Sequence, residues 1–520
     1  MHKAWTLFQR LGRDSSDSKS GWLKLFARRG PVDTMSRLED GRRDEPSDQA
    51  ERNSTEGNDF TFKNQIQRTI FSSPVNLLLL AAPAGIALWA FAIPGPAVFV
   101  VNFVAIIPLA ALLSEATEQV AMRTGESIGA LINATFGNAV ELIIAVIALI
   151  HGQVAVVQTS LIGSMLSNLL LVLGCCFFAG GTTRLQQHFN PMVAQTAASL
   201  LALSISSLIL PTIFSYSPNF YINNDADVLP KLAVWELSHG IAVILLFVYA
   251  FYLFFQLKTH SHIFEQKSRK VPRGPFMGMG SNEENKARCV SLAVDGSDHP
   301  MASNTALREQ GKDSLSNQAT AEKSEEEEDK PEEPQLHFIV ALATLLFCTV
   351  IIAVCSEGLV RGIDSITGSV TVEFVGLILL PIVGNACEHF TAVTAACKDK
   401  MDLAIGVAIG SSIQVSLFLI PLLIIIGWGI GNTEMTLAFD IFQVVALFVS
   451  VLLVNYLIGN GKSHWLGGFQ LITLYVIIAV CAFLKETSRF IVYHIYDSQC
   501  PEKGCAQHAG WDGKGISNHK

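Results

Sequence analysis

From residue 75 onward the chain alternates long apolar runs with short polar breaks. A helix that crosses a bilayer needs about 20 mostly apolar residues. Runs of that kind lie near 75–93, 96–121, 128–150, 154–181, 191–214 and 231–257, then near 336–361, 370–397, 402–427, 435–458 and 465–485. The first two are divided at Pro94-Gly95-Pro96, which stops a helix. The pattern predicts an all-α polytopic membrane protein with about eleven transmembrane helices. Residues 1–70 are polar and rich in Arg, Asp and Ser, lack the apolar core of a signal peptide, and read as a disordered cytosolic tail. Within them, the stretch from Gly21 to Arg29 is basic and apolar, either a contact for an anionic membrane surface or a plain part of the tail. A polar loop fills 259–335 and a polar tail 486–520.

Basic residues in the short breaks set the orientation, because loops rich in Lys and Arg stay cytosolic. With the N-terminus in the cytosol, the even-numbered spans return there beside Arg123, Arg184, Lys258, Lys398, Lys400 and Lys462. The opposite breaks are poor in basic residues, Arg361 being an exception. Set the first span aside and the rest divides into five (96–257) and five (336–485) around the 259–335 loop. An odd number makes the second half enter from the other side, so matching halves form an inverted repeat. That architecture belongs to secondary transporters with a site at the bilayer midplane.

The halves do match, at residues that an apolar span should not carry. Gly137-Asn138-Ala139-Val140-Glu141 reappears as Gly384-Asn385-Ala386-Cys387-Glu388. A charge at that depth costs about 3 kcal/mol on insertion scales and marks a function by default. Gly and Pro in the same stretches permit a helix break that frees backbone carbonyls. Carboxylates, asparagine oxygens and carbonyls are hard ligands. Two facing carboxylates would neutralise a divalent cation, and Ca²⁺ takes 6–8 oxygens. Mn²⁺ accepts the same ligands, and no paired Cys or His points to a softer metal.

Each Glu-bearing segment is followed by a Gly-Ser helix: Gly163-Ser164-Met165-Leu166-Ser167-Asn168 matches Gly410-Ser411-Ser412-Ile413-Gln414. Ser164 and Ser167, like Ser411 and Gln414, share a helix face and either line the pathway for ions, water and protons or glue helices together. Further candidates are Glu118, beside Glu115 near the end of the second span, and Glu357 in the seventh. Glu118 reads equally well as an interfacial helix end. His389 points about 100° away from Glu388 on an ideal helix; it relays a proton, tunes the site, or simply packs.

The stretch from Asn133 to Leu142 and that from Gly384 to His389 resemble the two cation-selecting repeats of the calcium/proton exchangers, within the cation/calcium exchanger superfamily. The resemblance extends through Lys398 to Gly406 and covers most of 75–485. It implies one extra N-terminal helix plus two inverted five-helix repeats, a vacuolar membrane in many members, and H⁺ leaving the lumen as Ca²⁺ enters. It also implies that Glu141 and Glu388 bind Ca²⁺ or protons, helped by Asn138, Asn385 and backbone oxygens around Gly137 and Gly384. Cys387 departs from the pattern, standing where Ala is common. The run Glu325, Glu326, Glu327, Glu328 and Asp329 occupies the place of the family's acidic segment, and senses cytosolic Ca²⁺ or serves as a solvated linker.

Composition adds little beyond this. The chain is 50% hydrophobic and 16% charged, too apolar for a soluble protein. Much of the net charge of −9 comes from the 259–335 loop and says nothing of the membrane part. Most cysteines lie in apolar runs as small hydrophobes; Cys500 and Cys505 in the tail could pair in an oxidising lumen. Three other functions remain: a Na⁺-coupled exchanger, a cation channel and an intramembrane enzyme. The last lacks the obvious metalloprotease signal, His-Glu-x-x-His, and no cofactor or nucleic-acid partner is expected. Membrane lipids are the expected surroundings, and the sequence leaves monomer or homo-oligomer open.

Overall fold

The computed structural model describes residues 74–91, 93, 95–216, 228–266, 268–271, 336–366 and 371–499. Its helices, in chain order, are α1 (Ala81–Ala90), α2 (Gly95–Thr124), α3 (Glu126–Phe136), α4 (Ala139–Ile150), α5 (Val154–Thr183), α6 (Pro191–Ser215) and α7 (Val228–Phe254). After the loop come α8 (Phe338–Ile366), α9 (Val372–Gly384), α10 (Ala386–Cys397), α11 (Met401–Gly429), α12 (Ile441–Ile458) and α13 (Trp465–Gln499). Lipid offers the backbone no hydrogen bonds, so helices that satisfy their own amides are the natural form for such runs.

Among the described residues, eight helices are long and apolar enough to span, and α9 with α10 makes a ninth as a pair bent by 58°. The first and third expected spans are shorter: Val75–Ala90 and Ala139–Ile150. Among the described residues the exact count of eleven is not confirmed by length and composition, because the chain breaks at Gly137-Asn138 and leaves α4 only 12 residues. At the other end α13 continues to Gln499, into the tail expected to begin at 486. The N-terminal tail, the acidic run Glu325–Asp329 and the tail cysteines lie outside the described residues.

Burial sorts the helices into a centre and a rim. In their most apolar stretches α5 is 83% buried and α11 67%, while the α7 span is 17% buried. Residues such as Phe247, Phe251, Leu346 and Phe347 are exposed, an apolar surface suited to lipid. α2 and α8 pair closely through small residues. A Cβ on Gly362 would lie 2.9 Å from Phe99 Cβ, and one on Gly358 2.8 Å from Asn102 Nδ2. Fully buried Asn102 also donates to Val98 O at 2.8 Å and to Gly85 O of α1 at 3.3 Å, so α1, α2 and α8 form one block.

One end of the bundle carries most of the basic residues and is tied by polar contacts. Arg184 and Asp399, 7% and 6% exposed, lie 3.4 Å apart. Gln187-His188 (β1) pairs antiparallel with Lys462-Ser463 (β2). Both ends of the central loop are held here by backbone clamps. Val271 N donates to Asp399 at 2.7 Å while Val271 O accepts from Arg184 at 2.8 Å. Leu336 N donates to Gln119 at 3.2 Å while Leu336 O accepts from Arg123 at 2.7 Å. At the opposite end Arg361 and Lys485 are each paired with carboxylates: Arg361 with Glu357, Lys485 with Glu373 and Asp440.

Where α5 meets α13 the backbones nearly touch. A Cβ on Gly468 would collide with Phe178 N and lie 2.5 Å from Gly174 O. Close approach of this kind drives helix association in lipid. Gly468→Leu is expected to destabilise the protein by about 2 kcal/mol or more through overpacking, read as a lower melting temperature in detergent.

Candidate functional site

The two Gly-Asn steps break their helices in the same way. Asn138 (φ −108°, ψ 32°) and Asn385 (φ −90°, ψ 11°) leave helical geometry, and a new 12-residue helix starts at once after each. Glu141 and Glu388 thus occupy the third residue of α4 and α10. There the unpaired amides and the helix dipole favour a carboxylate. Neither asparagine side chain caps its own helix.

Both asparagines reach across to the other half instead. Ser411 Oγ of α11 donates to Asn138 Oδ1 at 2.8 Å and accepts from Asn168 Nδ2 of α5 at 2.9 Å. Ser164 Oγ of α5 donates to Asn385 Oδ1 at 3.2 Å, and Asn385 Nδ2 donates to Ser164 O at 3.3 Å. The exchange is reciprocal: each half supplies the serine for the other's asparagine. The bare faces of the glycines follow suit. A Cβ on Gly384 would sit 2.9 Å from Glu141 Oε1, and one on Gly137 3.8 Å from Gln414 Oε1.

Between these contacts lie oxygens with nothing to accept. Among the described residues, both oxygens of Glu141 and Oε2 of Glu388 are buried without a hydrogen-bond partner, as are Asn133 Oδ1 and Asn168 Oδ1. Burying an unpaired carboxylate is costly unless a cation or proton neutralises it. Two carboxylates with neutral oxygens around them fit a hard cation. No cluster of three or more His, Cys, Asp or Glu suited to a resident metal occurs among the described residues.

The remaining candidates are placed as follows. Ser167 Oγ and His389 Nε2 share a hydrogen bond of 3.3 Å, so His389 faces α5. Glu118 is buried in α2, 2% exposed, and is not an exposed helix end. Cys387 is the second residue of α10, next to Glu388. Glu357 does not join the centre; it binds His151, ten residues beyond Glu141 and about 15 Å along the helix axis. Its span runs past the midplane, and depth within a span is not readable from apolar run boundaries. The break also frees fewer carbonyls than Gly and Pro suggest: Asn138 O accepts from Leu142 N and Asn385 O from His389 N. Asn168 was missed as a site residue, although it lies one turn beyond Ser164 on the same face.

The two helices behind the site widen at corresponding points. Ser167–Val172 in α5 and Val415–Leu419 in α11 are π-helical, each beginning at or just after a lining residue. Such bulges are frequent at functional sites.

The halves differ on one point. Gly163 of α5 is pressed against α9, where a Cβ would collide with Leu377 O and lie 2.7 Å from Pro381 Cγ. One on Gly376 would lie 3.0 Å from Thr159 Cβ. The counterparts Gly410 and Gly406 of α11 have nothing within 4 Å. Gly129, counterpart of Gly376, is turned onto Ala121 O of α2 instead. An apolar cavity of about 290 Å³ lies between α3 and α7, lined by Leu131, Thr135 and Tyr249 among others. The face of α5 toward α9 is therefore closed, while the matching face of α11 at Gly406 and Gly410 is uncovered.

Comparison with known proteins places this geometry. The sequence model of the family described as sodium/calcium exchanger protein matches residues 94–258 and 340–484. A vacuolar calcium ion transporter of Cryptococcus neoformans is 40% identical over 81% of this chain and 75% of its own. A Ca²⁺/H⁺ antiporter of Aphanothece halophytica is 38% identical over 74% and 90%. The solved structure of native YfkE covers 78% of this chain and 98% of its own, at 30% identity and a TM-score of 0.57.

The asymmetry separates two otherwise equivalent glycines. Gly163→Val is expected to lower the melting temperature in detergent, because its Cβ has no room. Gly410→Val is expected to melt like the wild type and yet lose transport, because the side chain blocks closure over the uncovered face of α11.

Proposed function

Because the chain belongs to the sodium/calcium exchanger protein family, we propose that it is an antiporter. It exchanges cytosolic Ca²⁺ for H⁺ across the membrane of a vacuole or similar acidic organelle. One observation carries the reading: Glu141 and Glu388, one from each half, are buried together with unsatisfied oxygens. The basic end is taken as cytosolic, with the N-terminus on that side, by the distribution of Lys and Arg.

Two carboxylates supply two negative charges. A divalent cation neutralises them, and so do protons, but hardly both at once. With neither bound, the pair would be costly to carry across the bilayer. The site therefore changes sides only when loaded, and loading by one ion excludes the other. Ca²⁺ enters from the cytosol between α3 and α11. Closure brings Gly129 of α3 onto Gly406 and Gly410, and opening on the far side parts α9 from Gly163. In the acidic lumen protons take the carboxylates, and the protonated site returns.

Asn138 and Asn385, held by Ser411 and Ser164, present amide oxygens toward the cation. Ser167 and His389 pair between α5 and α10, beside the site, as a route for protons or water. Mn²⁺ is the second cargo that the oxygen set admits.

The test is uptake into proteoliposomes under an imposed pH or Na⁺ gradient, comparing Ca²⁺, Mn²⁺ and Mg²⁺. Expected is Ca²⁺ uptake driven by an acid interior at clamped Na⁺, and its loss in Glu141→Gln and Glu388→Gln. Near-normal uptake by either variant would sink the assignment. Uptake that follows Na⁺ at clamped pH would favour a sodium-coupled exchanger, and cation currents without proton flux a channel.

A further inference from the structure

The two helices that carry the carboxylates end in the same turn on opposite ends of the bundle. At the end of α4, Gly152 N donates to Leu149 O and Gln153 N to Ala148 O. At the end of α10, Asp399 N donates to Ala396 O and Lys400 N to Ala395 O. Both are Schellman turns with one residue in the left-handed region, Gly152 at φ 72° and Asp399 at φ 60°. Each turn is then fastened to the other half of the protein, but by different chemistry.

The α10 turn is fastened by a buried Arg–Asp pair. Asp399 meets Arg184 at the end of α5, and Arg184 and Gln187 also cap the last carbonyls of α10, Cys397 O and Ala396 O. The α4 turn is fastened by an imidazole. His151 Nε2 lies 2.9 and 3.0 Å from the two oxygens of Glu357 on α8, and Gln153 donates to Asp364 at 3.4 Å. His151 and Glu357 are 30% and 24% exposed, so this fastening is in reach of solvent. Arg361 also binds Glu357, at 2.6 Å, and covers Trp89 of α1 at 5.8 Å.

The place of the second fastening matters. His151 sits at the corner between α4 and α5, and Glu357 on the helix that leads to α9. The contact ties α4 to α8, the helices that precede α5 and α9 in the chain. A parting of α5 from α9 that carries these neighbours along loosens it. An imidazole gains a charge within the range of pH 5 to 8. A charged imidazole here gains an ion pair with Glu357 and a favourable place at the C-terminus of α4.

The groups that face it are few. α8 brings Glu357, Arg361 and Asp364. Val154–Leu166 of α5 and Ile420–Gly429 of α11, which also pack on α4, carry no titratable residue. α3 carries only Glu126, at its far start.

We propose that His151 and Glu357 form a proton-sensitive positioning latch that favours closure of the lumenal seam between α5 and α9 while the lumen is acidic, without preventing its opening. It rests on the exchange reading above, which puts this end in the acidic compartment. The latch biases the carrier toward its cytosol-open state. Acid on one side thus raises the readiness of the site on the other, apart from any proton that Glu141 or Glu388 carries.

The test is Ca²⁺ uptake by the full chain in sealed vesicles, at fixed external pH and varied internal pH. The readout is the ratio of each variant's KM for external Ca²⁺ to that of the wild type at the same internal pH, which cancels the driving force. For His151→Phe and Glu357→Gln the ratio is expected near one with a neutral interior and about fivefold higher near pH 5.5. For His151→Lys, charged throughout, it is expected near one with an acid interior and about fivefold below one with a neutral interior. Ratios independent of internal pH in all three, with normal wild-type uptake, would overturn the latch alone. A wild type without proton-driven uptake would overturn the exchange reading and the latch with it.

Discussion

Two carboxylates share a space from which water is largely excluded, and most of the architecture answers to that constraint. Glu141 and Glu388 cannot both stay ionised there without a counter-charge. Everything that touches them limits the cost without removing it. The helix breaks place each at a helix N-terminus, the reciprocal asparagine–serine bonds fix the breaks in position, and the close glycines let one half lie against the other. On the exchange reading proposed above, that residual electrostatic need is what a carried ion satisfies. A fully satisfied site would be a structural salt bridge and would carry nothing.

Inverted symmetry supplies both faces of the transport cycle from one sequence plan. The sealed contact of Gly163 with α9 and the open face of Gly410 are the same local design in two arrangements. Since the halves are antiparallel, exchanging the arrangements exchanges the side on which the site is exposed. What moves can be small, because interhelical glycine contacts are either made or absent and have no soft intermediate.

The sequence showed the helical membrane pattern, and it singled out the two-half plan and the carboxylate pair on which the proposed function rests. A carboxylate in an apolar run is visible without any knowledge of its neighbours. The partners of Asn138 and Asn385 were visible only as residue types, because a bond between residues 221 or 273 positions apart is a tertiary fact. Glu357 looked central because it lies in a long apolar run. Its depth depends on where the helix sits, and its partner His151 marks the end of a different helix. The Schellman turn ending α10 could not be read either, since its left-handed position holds Asp399 where glycine is the usual signal. The short α4 follows from the break that was expected, but helix length after a break is set by the corner it must reach.

The reciprocal bonds also bear on how the chain is made. A ribosome delivers the first half before the second exists. Until then Asn138 has no Ser411, and Glu141 has no Gly384 to lie against. The first five-helix unit is thus held in the bilayer with its polar face unfinished, and the second completes it on arrival. Docking of the two halves is the step that gives each asparagine its serine and each carboxylate its covering glycine or neighbour.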